Sequence, residues 1–136
     1  MKNASLKPIL NTSLPPQFRK IRLELAREPA HPEGDAGTGY DIVAPLDDDF
    51  RIDAKLWGDH REACRVARRR TDEEYALGHL LHRQGGGWVL HYDASPAKPD
   101  EVGFHFKDER FVPGEYVSIG DGKNMHTYRV TMVLRL

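Results

Sequence analysis

Residues 75 to 92, YALGHLLHRQGGGWVLHY, decide the fold. Tyr75, Leu77, His79 and Leu81 alternate along the first arm, and Trp88, Leu90 and Tyr92 along the second. Successive side chains leave a strand on opposite faces, so this period of two marks half-buried strands. The glycines between the arms supply the positive φ that a tight turn needs, and the segment reads as a β-hairpin with antiparallel arms.

The same alternation recurs on both sides. Upstream, Ile21, Leu23 and Leu25 alternate with Arg22 and Glu24, giving a first strand, and Tyr40, Ile42 and Ala44 give a second. Between them, three glycines and two prolines in PAHPEGDAGTGY mark a long loop. Pro45 lacks an amide donor, so the second strand ends, or lies at a sheet edge, there. Residues 67 to 74, ARRRTDEE, lead into the hairpin as part of the same extended run. Downstream, Phe104 and Phe106 are expected inward with His105 outward. A final hairpin turns near Gly120 to Lys123 and carries Tyr128, Val130, Met132 and Leu134 on one face.

One segment breaks the pattern. In RIDAKLWGDHREACR, Ala54, Trp57, Arg61 and Cys64 recur at helical spacing behind Asp53, a residue type that caps helix N-termini. A helix over about 53–64 is expected, held by packing of Trp57 because Gly58 weakens it by about 1 kcal/mol relative to alanine. The fold expected is mainly β (α+β): a small antiparallel twisted sheet or partly closed barrel of six to seven strands, with that helix plugging one end or covering one face. Residues 1–16 are expected to form a flexible tail, with Pro15 and Pro16 at its end, and residues 17–136 a single domain.

With 136 residues, 39% of them apolar and 30% charged, the chain can build one core. A formal charge of -1 provides no global field for nucleic acid or an anionic membrane. The single cysteine, Cys64, cannot form an intramolecular disulfide, and no apolar stretch approaches membrane-spanning length. A cytoplasmic location is expected, with no cofactor and no membrane partner.

GYDIVAPL at 39–46, together with FVPGEYVSI at 111–119 and HTYRV at 126–130, resembles segments of a group of short uncharacterised proteobacterial proteins. The resemblance implies a self-contained domain and carries no activity with it. FVPGEYVSI also looks like a segment of the flavin-binding barrels of ferredoxin-reductase-like enzymes. Glu115 stands where that pattern has Gln, and the accompanying Arg-x-Tyr-Ser is missing, so the likeness reduces to a Pro-Gly turn feeding a strand.

Seven histidines are scattered along the chain without a metal-binding spacing such as H-E-x-x-H. His79 shares a register with Tyr75, Leu77 and Leu81, and His126 with Tyr128 and Val130. His79, Tyr92, His126 and Tyr128 are therefore expected to line one polar pocket, each buried polar group needing a partner. Arg65, Arg68, Arg69 and Arg70, with Arg83, form the densest basic cluster, a candidate for phosphate contacts that Asp72, Glu73 and Glu74 would partly neutralise. Asp47 to Asp49 lack the glycine and distal glutamate of a calcium loop and mark a turn. Three functions follow from these residues: a non-enzymatic binding or accessory module for a small molecule or a protein, the leading one; a small histidine-using enzyme, with or without a metal; and a weak nucleic-acid binder through Arg65–Arg70.

Overall fold

The computed structural model of the chain describes residues 13–93, 98–121 and 123–136. Its strands are β1 (Phe18–Leu25), β2 (Asp35–Pro45), β3 (Arg65–Arg69), β4 (Ala76–His82), β5 (Trp88–Tyr92), β6 (Glu101–Phe104), β7 (Tyr116–Gly120) and β8 (Met125–Arg135). Each pairs antiparallel with its successor, and β8 pairs with β1. The protein is mainly β, an antiparallel sheet with one small α-helix, and it closes into an eight-stranded barrel. The expected six to seven strands and partial closure are thus corrected. Closure leaves no edge strand with unpaired amides, which is its physical advantage. The extra strand comes from 65–82, where a turn with Asp72 in the left-handed region (φ 64) splits one extended run into β3 and β4.

Ile21, Leu23 and Leu25 of β1 and Tyr40, Ile42 and Ala44 of β2 are buried as the alternation predicts, and β2 ends at Pro45. The hairpin turn has Gly85 and Gly86 at φ 97. Three inward assignments reverse. In β4, Ala76, Gly78 and Leu80 are buried, while Tyr75, Leu77 and Leu81 are exposed. Both parities of this strand are apolar, and the smaller set faces inward, where Trp57, Trp88 and Tyr92 fill the barrel. In β8, Tyr128 and Val130 are buried, but Met132 and Leu134 are exposed, because the β1–β8 register shifts between Arg22 and Leu23 and flips every later side chain. In β6, Glu101 and Gly103 are buried and Phe104 is exposed. His105 then takes φ 57, and the chain turns Phe106 back inside, against Gly103.

The helix α1 spans Ala54–Asp59, with the Asp53 carboxylate accepting the Leu56 amide at 3.0 Å, the expected cap. It is shorter than expected: His60 leaves the helical region (φ -140), and a 3-10 turn, Arg61–Ala63, follows. Trp57 is its buried residue; the indole N–H donates to the Leu80 carbonyl at 2.7 Å, and the ring meets Trp88 edge-on at 5.6 Å. The helix links β2 to β3 and caps the barrel end where β1 and β5 begin. Asp47 accepts the amides of Asp49 and Arg51, the turn expected of the acidic triplet. Of the expected tail, residues 1–12 lie outside the described residues, and Leu14 packs on the core.

Candidate functional site

At the end opposite α1, the inward alternation of five strands brings polar side chains together. Tyr40 arrives from β2, Arg68 from β3, Tyr92 from β5, Glu101 from β6 and Tyr128 from β8, all buried. Glu101, only 7% exposed, is the hub. Its Oε1 accepts the Tyr40 hydroxyl at 2.9 Å and also the Tyr92 hydroxyl. Its Oε2 faces the Arg68 guanidinium at 3.5 Å and that of Arg70 at 3.8 Å. Arg68 also lies over the Tyr92 ring, 5.0 Å from its centroid, and the Tyr40 and Tyr128 rings meet edge-on at 5.0 Å.

Burial decides the electrostatics. Desolvation, reinforced by the Glu101 charge, pushes the Tyr40 and Tyr92 hydroxyls far above the ordinary phenol range, and desolvation raises Tyr128 as well. These phenols stay protonated and act as hydrogen-bond donors. Two guanidiniums face the Glu101 carboxylate, and Arg70, its side chain 45% exposed, presents its charge at the barrel rim, where the Glu28 carboxylate also acts on Tyr128.

The four residues expected to share a pocket are divided. Tyr92 and Tyr128 stand in the cluster. His79 is on the outer face of β4, where its Nδ1 pairs with Asp93 at 2.7 Å. His126 has inward parity but lies at the rim, and its Nδ1 meets Glu28 at 2.9 Å. The five arginines are likewise dispersed. Arg68 points inward and Arg70 reaches Glu101. Arg69 is buried on the outer side against Asp41 (3.0 Å) and the Leu23 carbonyl (2.9 Å), Arg83 sits 3.6 Å from Asp100, and Arg65 is exposed. Adjacent strand residues leave on opposite faces, so a run of arginines cannot form one patch.

The remaining histidines serve local contacts, such as His82 stacked on Trp88 at 4.2 Å. Among the described residues no group of three or more His, Cys, Asp or Glu side chains is placed to hold a metal ion. Burial pushes the Cys64 thiol up to about 12, and the residue packs in the core. A groove of about 700 Å³, lined by Glu24, Arg27, Asp35, Tyr116, Arg129 and neighbours, lies outside the barrel beside the β1–β2 connection and receives no histidine.

Glu101 is the functional candidate that alternation misses, because Val102 and Phe104 are the apolar parity of β6. One signal for it exists in the sequence. Three tyrosines at inward positions each need a hydroxyl partner, and a buried acceptor must supply it.

Fold and cluster together define a closed up-and-down antiparallel barrel with an aromatic plug at one end and a polar core at the other. Comparison with protein-family models, with curated proteins and with solved structures finds no match.

Proposed function

We propose that this barrel is a binding module for a small organic acid, taken at the end opposite the helix and paired with Arg70. The observation that carries the reading is the two-to-one ratio of guanidinium to carboxylate around buried Glu101, with the spare charge half-exposed. Burying ions costs several kcal/mol each, and a barrel of this size can fill its interior with apolar side chains instead. The polar cluster is confined to one end, and it fits a site better than a uniform core.

Two further features support a modest ligand. The interior is already filled by Trp88, Tyr40, Tyr92 and Phe106, so the ligand sits at the rim over Arg70 with its apolar part outward. The described residues of the connections at this end, 26–34, 70–75, 93, 98–100, 121 and 123–124, carry eight acidic against four basic side chains, a field that repels polyanions such as nucleic acid more strongly than a monocarboxylate. The raised tyrosine pKa values favour hydrogen-bond donation over proton transfer, which weighs for binding against acid–base catalysis.

Thermal denaturation with benzoate or hexanoate, and with the matching amides, tests the proposal. The acids should raise Tm saturably, by the stabilisation that binding to the folded state supplies, and the amides should not. Arg70→Met should abolish the response. An unchanged Tm with every acid, or an equal response in Arg70→Met, overturns it.

A further inference from the structure

The outer face of β2, β3 and β4 is the other unusual surface of this barrel. The strand registers place its side chains in rows: Lys20, Val43, Arg65 and His79 across one row, then Arg22, Asp41, Ala67 and Leu77, with Tyr75 in the next. Val43, Ala67, Leu77 and Tyr75 line a groove of about 490 Å³ there, and Tyr75 and Leu77 are 60% and 58% exposed. Adjacent apolar side chains this exposed mark an interaction surface.

Charge is distributed along this face with opposite signs at its two ends. Lys20 and Arg65 flank the groove on the helix side, both exposed, with no carboxylate within salt-bridge distance among the described residues. On the other side, immediately before Tyr75, Asp72, Glu73 and Glu74 are exposed and equally without a basic partner at that distance. The unpaired charges along the strands thus run from acidic to basic across the apolar centre, while the other charged groups of the face, Arg22, Arg69 and Asp41 and the His79–Asp93 contact, are paired with one another.

We infer that this face binds a second copy of the chain around a two-fold axis passing between Tyr75 and Leu77. An isologous interface requires a self-complementary patch, and a two-fold rotation here brings the acidic end of one copy over the basic end of the other. The rotation sets the apolar centres against each other, Tyr75 of one copy near Leu77 of the next. Electrostatic complementarity fixes this orientation, since the parallel alternative opposes like charges. The sheet is closed, so association proceeds through side chains and leaves every strand ladder intact.

Sedimentation velocity on the full chain tests the inference, with far-UV circular dichroism and thermal melts confirming that each variant is folded. The wild type should sediment at twice the chain mass. Lys20→Glu with Arg65→Glu makes both ends acidic, and Glu73→Lys with Glu74→Lys makes both ends basic; each pair should yield monomers. Mixing the two variants should restore a dimer, because one end re-forms its contacts with native charges and the other re-forms them with reversed sign. A monomeric wild type overturns the inference. So does a dimer indifferent to either charge reversal, or folded monomeric variants that fail to pair on mixing.

Discussion

The two ends of the barrel are filled by opposite means. At the helix end, Trp57, Trp88, Phe18 and Phe111 pack ring against ring or chain, and the polar atom of Trp57 is satisfied by a single backbone carbonyl. At the other end, two tyrosine hydroxyls and two guanidiniums meet Glu101, with Tyr128 packed edge-on against Tyr40, and the space is held by hydrogen bonds and charge. Packing is forgiving of chemistry and sensitive to volume, whereas a buried ion network is forgiving of volume and sensitive to charge.

The largest expected effects separate these two modes. Trp57→Ala should cost about 3–5 kcal/mol in urea denaturation, and restoring volume with phenylalanine should recover part of it. Glu101→Leu, although it fills the same space, should cost about 3–5 kcal/mol, because Arg68 is left buried and uncompensated. If leucine at 101 proves nearly neutral, the two ends do not differ as described. The double change Arg68→Met with Glu101→Leu then sharpens the contrast: stability should return to within about 1–2 kcal/mol of wild type, since an apolar replacement of a buried pair is often neutral.

A smaller effect tests packing in the aromatic half, where Gly103 pairs with Trp88. A Cβ at Gly103 would lie 2.5 Å from the Phe106 ring, so Gly103→Ala should destabilise by about 1–3 kcal/mol through overpacking. Gly87→Ala, where no atom lies within 4 Å of the added carbon, should show no overpacking cost in the same denaturation series.

The smallest effect concerns the rim. The hydrogen bond from His126, aided by His31, holds the half-buried Glu28 carboxyl below its ordinary value of 4.5. A depressed folded-state value stabilises above pH 4.5, and that contribution is lost as pH falls through the folded value. Carboxyl-detected NMR titration should find Glu28 titrating low in the wild type and moving up in His126→Gln. An unchanged titration would show that the rim contact does not form.

Legibility in the sequence followed the local physics. The Asp53 cap, the Trp57 anchor, the glycine turn at 85–86 and the inward faces of β1 and β2 rest on neighbours a few residues apart. Tyr92 and Tyr128 were also oriented inward by alternation. His79 was not, because β4 has apolar residues on both parities, and choosing between them requires the volumes of Trp57 and Trp88 across the barrel. Met132 and Leu134 failed because a register shift between β1 and β8 reverses parity without any mark in β8 itself.

By itself, the sequence determined that strands of alternating polarity would form an antiparallel sheet interrupted by one short capped helix, since these features depend on period, turn chemistry and capping. Only the tertiary structure decided that the sheet closes with eight strands and that Glu101 meets two guanidiniums and two tyrosine hydroxyls. Closure and convergence depend on register between strands far apart in the chain, and no local propensity encodes that register.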